Sequence, residues 1–453
     1  MCLSKTPFSL KRNNYISDSI SPTGRQREVA FLRVTYGSEW LEVGVPGEVV
    51  VLCPPETKPS LSLAAIIQSA LDQPVGGRSL AELAMQADSA LIMIACRTRR
   101  TGSEVFIPEI VRVLNEGGIA DGAITVCTAT GTHDNFRAED AELLAGSDCA
   151  RRLNFTGHDC RTPEMLAEVG TTTRGNRVRL ARRYLDSPLR ITTGRVTYHY
   201  FAGFSAGRKG VLPGVAALDT ILTNHALAVS KEGRQVRLNP HACNGNLATN
   251  PVHLDMLEAA RMAPPHFTLC TVLNTNDELV SAYGGEMEAA HAAGVAQVRA
   301  SDRVEIEEPF DWMVVSCGGA HCDVNVIQAI KALLNNYQAV RRGGAIIFVA
   351  ECPEGSPDWL LEACALRGEG ELEAKILKGE VRQAHNPLWI RDAREHAHVI
   401  MVTKLAPAAV SALGFHHASS ISEAVQMAGV LAGSPRRTAV VPYGNITVVE
   451  LKE

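Results

Sequence analysis

Apolar runs of strand length, each followed by a short polar loop, constrain the fold of this chain most. Such runs of about four to eight residues are typical of strands buried on both faces. They occupy residues 90–95, 123–128, 312–316 and 345–350, with further strand patterns at 31–53, 399–403 and 439–442. Helical patterns alternate with them, at 61–72, 80–87, 107–117, 286–300 and 326–340. This alternation predicts an α/β fold, with two α/β domains built on largely parallel sheets.

The chain of 453 residues is long enough for two or three domains. Residues 1–30 are polar, mixed in charge and free of an apolar run, so we expect a disordered extension and no secretory signal. An N-terminal domain is expected over 31–295 and a C-terminal α/β domain over 296–453. The boundary follows the helical stretch 286–300, where the pattern gives way to charged residues.

Composition excludes several classes of protein. The formal net charge is −5, and no basic cluster is interleaved with aromatic residues, which argues against a nucleic-acid-binding protein. The 12 cysteines are scattered without a Cys-x-x-Cys pair, so reduced thiols are expected. No apolar stretch reaches the roughly 18 residues of a membrane span. These features predict a cytoplasmic protein without a membrane or nucleic-acid partner.

A glycine-rich segment over residues 199–214 is the strongest local motif. It places Lys209 in a turn, with His199 ten residues before it and His225 sixteen residues after it. Glycines let the backbone turn sharply and approach a ligand closely. A lysine in such a turn suits a phosphate or covalent chemistry, and the flanking imidazoles suit an acid, a base or a metal ligand.

Two polar loops follow neighbouring predicted strands. The first, over 96–103, carries Arg99, and the second, over 129–134, carries His133. In parallel sheets ligands bind beyond the carboxyl ends of the strands. Both loops are therefore expected to lie at the functional site.

Five stretches in order and spacing resemble the nickel-dependent lactate racemase family, over nearly the whole chain from about residue 32. They are Arg97-Thr-Arg99, Gly131-Thr-His133, the segment from His199 to Lys209, Asn224-His225 and Gln328-Ala-Ile-Lys331. The resemblance implies an active site in an interdomain cleft and a nickel-pincer nucleotide, a pyridinium mononucleotide whose two sulfur arms and ring carbon hold nickel. By position, Lys209 matches the lysine that tethers this cofactor, and His225 matches the nickel ligand.

The remaining site residues also follow from the resemblance. His133 and His199 match an acid/base pair that serves the two faces of the substrate carbon. Arg99 matches an arginine that meets the cofactor or the substrate carboxylate, and the adjacent backbone of Cys96, Arg97 and Thr98 would line the nucleotide. Gln328 and Lys331 match residues of the C-terminal domain that reach the site across the cleft.

This chain departs from the family at several loop positions. Cys96 stands where an acidic residue is common, and Arg100 and Gly102 stand where prolines are usual. The loop before Gln328 reads Gly318-Gly-Ala-His-Cys-Asp323, and Ala206 replaces a common glycine. The loop differences could alter cofactor contacts or substrate choice, but none removes a proposed acid, base, tether or nickel ligand.

The function expected from the resemblance is that of an isomerase, a racemase or epimerase of a lactate-like 2-hydroxy acid. Its partners would be this small molecule and the proteins that synthesise the cofactor. Two alternatives remain open: a nicotinamide-dependent 2-hydroxy acid dehydrogenase and a non-catalytic nickel- or nucleotide-binding protein. The first would need a Gly-x-Gly-x-x-Gly fingerprint, of which no convincing copy is present. Loss of His133 or His199 would favour the second, and both are present.

Overall fold

A computed structural model describes residues 32–133 and 136–452; the extension expected over residues 1–30 lies outside them. The strands, in chain order, are β1 Leu32–Tyr36, β2 Glu39–Val43, β3 Glu48–Val51, β4 Ala90–Ile94, β5 Ile124–Thr128, β6 Asn154–Gly157, β7 Leu166–Thr171, β8 Arg177–Ala181, β9 Leu189–Arg195, β10 Tyr198–His199, β11 Gly203–Phe204, β12 Val229–Glu232, β13 Gln235–Leu238, β14 Phe267–Leu273, β15 Leu279–Gly285, β16 Arg303–Ile306, β17 Phe310–Ser316, β18 Val340–Val349, β19 His398–Val402, β20 His416–Ala418, β21 Arg437–Val441 and β22 Val448–Leu451.

The α-helices fill most of the connections between these strands. They are α1 Leu63–Asp72, α2 Leu80–Ala84, α3 Ser103–Glu116, α4 Asp140–Arg152, α5 Arg182–Leu185, α6 Leu218–Ala226, α7 Pro251–Met262, α8 Met287–Ser301, α9 Val326–Leu334, α10 Asp358–Ala365, α11 Glu371–Leu377, α12 His385–His396, α13 Pro407–Leu413 and α14 Ile421–Ala432. Among the described residues, none of these helices is both long enough and apolar enough to cross a membrane.

The first six-stranded sheet has the order β15-β14-β9-β4-β5-β6. Its neighbours pair in parallel, except that the edge strand β15 runs antiparallel to β14. Every residue of Ala90–Ile94 is buried, because helices cover both faces of the central strand. The loops after β4 and β5 therefore meet at one edge of the sheet, as the sequence predicts.

The second six-stranded sheet has the order β20-β19-β18-β17-β21-β3 and is parallel throughout. Its edge strand β3 comes from the start of the described chain and pairs with β21. The hairpin β1–β2 also packs its apolar side chains into the core of this sheet, around Trp312. The division at residues 295 and 296 stays a prediction.

The predicted fold class is confirmed: the molecule is α/β, with sheets dominated by parallel pairing. One helix prediction was wrong, since the helix expected over 326–340 ends at Leu334, and a 3₁₀ turn at Tyr337–Ala339 leads into β18. The Arg341-Arg342-Gly-Gly344 stretch is part of that strand, next to a register shift against β17. Glycines and arginines thus mark a strand irregularity here.

Candidate functional site

The glycine-rich segment folds into a hairpin and a single 3₁₀ turn. His199 lies on β10, which pairs with β11, and Lys209 lies in the turn Gly207–Gly210. Gly207 has a φ of +56°, and a Cβ there would lie 2.8 Å from the His291 ring. At Gly214 a Cβ would lie 2.2 Å from the Gly210 carbonyl oxygen. Only glycine permits these approaches, so the sequence motif shapes the loop that presents Lys209.

Lys209 has cationic and aromatic neighbours. Its Nζ lies 5.8 Å from the centroid of the Phe201 ring. No aspartate or glutamate of the described chain forms an ion pair with it. Burial, followed by the charges of Arg208, Lys331 and Arg99, holds the Lys209 pKa well below its usual value. The amine is therefore biased towards its uncharged, nucleophilic form.

His225 is oriented by its own helix. It lies in the last turn of α6, and its Nδ1 lies 2.8 Å from the Ile221 carbonyl oxygen. Because a carbonyl only accepts, Nδ1 carries the proton, and Nε2 keeps its lone pair. Burial and the charge of Lys209 lower the His225 pKa to about 4. This imidazole is thus prepared as a neutral nitrogen ligand.

His133 and Cys96 meet where the loops after β4 and β5 converge. The Cys96 Sγ lies 3.2 Å from the His133 Nδ1 and 3.1 Å from the Thr98 Oγ1. The Gly131 N–H donates to the Gly214 carbonyl, at 3.3 Å, which ties the His133 loop to the end of the lysine loop. The thiol at position 96 therefore touches one of the two histidines matched to the acid/base pair.

His199 is held among aromatic rings with no hydrogen-bond partner for its buried Nδ1. Its ring stacks on Tyr200 and meets Phe201 edge to face, with centroids 5.3 Å and 4.6 Å away. Burial, followed by the charges of Lys209, Lys331, Arg99 and His225, places its pKa well below the usual value. The imidazole is therefore neutral at pH 7 and can accept a proton.

Gln328 joins two cations from opposite halves of the chain. Its Oε1 accepts from Arg99 Nη1 at 2.6 Å and from Lys331 Nζ at 2.7 Å. The Asn325 side chain caps α9 by accepting from the Gln328 N–H. Gln328 and Lys331 lie three residues apart on this helix and therefore share one face. Burial and Arg99 lower the Lys331 pKa well below its usual value. Neither donor forms an ion pair with an acidic side chain of the described residues, so both remain available to hydrogen-bond an anion.

Further contacts connect the same two halves around the site. Arg97 lies 3.4 Å from Glu354, and His321 lies 3.4 Å from Asp277, which also pairs with Arg195 at 2.7 Å. Together with the contacts described above, these show that the ten sequence-predicted site residues lie close together. Among the described residues, no group of three or more His, Cys, Asp or Glu side chains could hold a metal ion.

Sequence reasoning missed a group contributed by α12. His385, at the start of this helix, is 1% exposed, and its ring centroid lies 5.8 Å from His225 and 4.7 Å from Phe201. Asn386 accepts from the Tyr200 hydroxyl at 2.9 Å. No motif spacing connects residue 385 with the glycine-rich segment, because only the tertiary packing of α12 brings them together.

The parallel α/β sheets, with histidines and lysines gathered near their strand ends, are typical of an enzyme. Two family models match the chain: the lactate racemase N-terminal domain over residues 36–236 and the lactate racemase C-terminal domain over residues 306–449. The chain belongs to the lactate racemase family, and it is accordingly an isomerase.

Relatives support the same assignment over the full length. The chain is 26% identical over 447 residues to the lactate racemase of Thermoanaerobacterium thermosaccharolyticum, covering 94% of this chain and 100% of that one. It is 28% identical over 407 residues to the lactate racemase of Lactiplantibacillus plantarum, covering 86% and 92%. The structure of the T. thermosaccharolyticum lactate racemase apoprotein superposes with a TM-score of 0.82 at 27% identity, over 93% of this chain and 100% of that chain. A Thermotoga maritima protein with a TM-score of 0.67 at 18% identity shares the fold, over 88% and 100%.

Proposed function

We propose that this protein racemises or epimerises a lactate-like 2-hydroxy acid with a nickel-pincer nucleotide tethered to Lys209. The observation that carries the proposal is the convergence of Lys209, His225 and His199 in one centre, where no acidic side chain of the described residues forms an ion pair with Lys209. The relatives named as lactate racemases support the substrate class.

The residues present fit such a cofactor. The His225 Nε2 has a free lone pair, which would make it a nitrogen ligand for the nickel of such a cofactor. A tethering lysine has to be uncharged, and burial among cations favours that form of Lys209. The loop from Cys96 to Arg99 would line the nucleotide, since its polar groups lie beside His133 and Gln328.

When bound, the cofactor would supply a group that can accept and donate hydride at the substrate Cα. Lys331 and Arg99 would hold the substrate carboxylate, because both are donors whose charges no acidic side chain of the described chain neutralises. On opposite faces of the substrate carbon, one of His133 and His199 would accept the α-hydroxyl proton and the other would return a proton to the oxygen.

We also propose that residues 31–295 and 296–453 act as two domains that close over the substrate. Contacts such as Arg99–Gln328 and Arg97–Glu354 span this division and would tighten on closure. Closure would expel water and strengthen the charge contacts to the carboxylate. The cofactor-synthesis proteins would load the enzyme, in the cytoplasm.

The decisive experiment uses protein loaded with cofactor and a panel of 2-hydroxy acids labelled with deuterium at Cα. We expect loss of optical purity with lactate or a close analogue, with deuterium retained at Cα, as hydride return requires. Wash-out of the label into solvent would contradict the proposed chemistry. Net formation of a 2-keto acid with reduction of added nicotinamide would instead identify a dehydrogenase.

Replacement of His225 by alanine is expected to lower the nickel-to-protein ratio while leaving the covalent adduct at Lys209. The physical reason is loss of the only nitrogen donor assigned to nickel, since the tether itself is unchanged. Metal analysis after dialysis, paired with intact-protein mass spectrometry, measures both properties. His241→Ala, at an exposed histidine, is the control, and equal nickel ratios in parent and His225 variant would contradict the assignment.

Replacement of Lys331 by methionine is expected to lower kcat/KM for the substrate by about 10²-fold, since a hydrogen bond to a charged group contributes about 1.5–3 kcal/mol. Nickel content and the covalent adduct should stay at parent levels, because Lys331 is assigned to the substrate. Steady-state kinetics and metal analysis test this. Lys404→Met, at an exposed lysine paired with Glu351, is the control, and an unchanged kcat/KM in Lys331→Met would exclude the assigned contact.

A further inference from the structure

The residue before Lys209 is a fully buried arginine without an acidic partner. Arg208 is 1% exposed, and no aspartate or glutamate of the described chain pairs with it. A buried cation is costly unless its donors are satisfied. The burial of Arg208 beside the proposed attachment point therefore needs a structural explanation.

Backbone carbonyls satisfy most of the Arg208 donors. Nη2 donates to the carbonyls of Ala202 and Phe204 at 2.7 and 2.8 Å. Nη1 donates to the carbonyl of Ala206 at 3.3 Å and to that of Ser205 at 3.5 Å. The guanidinium thus binds the inner side of the loop that leads into the lysine turn.

A residue on α8 completes this arrangement. His291 Nε2 lies 2.9 Å from both Arg208 Nη1 and the Ser205 carbonyl oxygen. The loop can turn its carbonyls inward because Gly203, Ala206 and Gly207 have φ values of +75°, +62° and +56°. Arg208 and His291 therefore hold the inner side of the loop that leads into the turn of Lys209.

The other groups that bear on Lys209 are also basic. Arg99 and Lys331 add positive charge from two further elements. The imidazoles of His199, His225 and His291 are also coupled to it. No carboxylate is among them, and Arg208 is the nearest in sequence and the strongest of the charges.

We propose that Arg208 is a positioning residue, which orders the loop carrying Lys209 and keeps the Lys209 amine uncharged and nucleophilic for attachment of a ligand. The relevance to cofactor attachment rests on the proposed function of Lys209. The effect of Arg208 on the charge of Lys209 does not depend on that function, because a buried cation disfavours a second cation beside it whatever ligand the lysine receives. Burial has the largest effect on the amine, and Arg208 adds to it.

The test follows carbamylation of the cofactor-free protein by cyanate across a range of pH. Only an uncharged amine adds to cyanic acid, forming a urea with no leaving group, so the extent of reaction reports the deprotonated fraction. Peptide mass spectrometry quantifies Lys209, with the exposed Lys58 as internal reference. In the parent protein Lys209 should react at pH 7 far beyond Lys58.

Arg208→Met removes the charge, and we expect the Lys209 midpoint to rise by about one pH unit, which lowers its reaction at pH 7 about tenfold. Arg208→Lys keeps the charge and should retain a midpoint near that of the parent, a rescue that a merely structural role would not produce. If Arg208→Met does not fold, as judged by circular dichroism, Arg208→Gln replaces it. A folded neutral variant with the parent midpoint would overturn the proposal.

The result of this cyanate test can be distinguished from a failure of the proposed function. Cyanate needs no cofactor, so an unchanged midpoint would reject the role of Arg208 even if Lys209 carries the nucleotide. Conversely, a raised midpoint supports the role even in a protein that acquires no adduct in cells that make the cofactor.

Discussion

Replacement of Lys209 by alanine is expected to abolish the covalent adduct completely. The prediction follows from the position of the amine at the turn Gly207–Gly210, buried beside Phe201 and without an acidic partner. Intact-protein mass spectrometry of protein made in cells that synthesise the cofactor measures the adduct directly.

The matched control for this variant is Lys331→Ala. Lys331 is also buried and also has a lowered pKa, but it lies on α9 and donates to Gln328. This variant should keep the full adduct mass. An adduct that persists in Lys209→Ala, or that disappears equally in Lys331→Ala, would reject Lys209 as the attachment point.

The sheet organisation was predictable because it depends on local patterns. The apolar run at Ala90–Ile94 is buried on both faces of a central strand, and a run of this length has few other folded environments. The loops that carry Arg99 and His133 follow such strands directly. Their convergence could therefore be deduced from the general geometry of parallel sheets.

Other parts of the fold depend on long-range packing, which local patterns do not encode. Strand Glu48–Val51 pairs with Arg437–Val441, nearly the whole chain away, and its run of valines does not specify a partner. The helix after Val326 ends at Leu334, directly before Asn335 and Asn336, and the chain then turns into β18.

In the candidate site, too, some features follow from the local sequence and others depend on tertiary packing. The glycine spacing identifies the loop of Lys209, because positive φ values restrict which residues fit there. The sequence around His385 gives no signal that places it at the site, because its burial against His225 depends on how α12 packs. Likewise, the burial of Arg208 depends on α8 supplying His291, and a surface arginine would have the same sequence neighbours.

Replacement of either His133 or His199 by alanine is expected to lower racemisation in both directions by about 10²–10⁴-fold, the usual contribution of a general acid or base. Under the proposed mechanism, racemisation needs both histidines in turn, because each enantiomer would present its hydroxyl proton to one of them and its product would receive a proton from the other. Chiral chromatography from each enantiomer, with nickel and adduct levels confirmed as equal to the parent, gives the measurement.

The pH dependence separates the two histidines from residues that only shape the site. Burial and nearby cations lower the His199 pKa below 6.5, so its neutral form persists as the pH falls, and its proton acceptance is lost only below that lowered pKa. Lys331→Met removes one of these cations, so the acidic limb of the residual kcat profile should move to higher pH. His241→Ala, at an exposed histidine, should leave rate and profile unchanged.

Near-parent rates from both enantiomers in either His133→Ala or His199→Ala would refute the two-histidine mechanism, even with the family assignment intact.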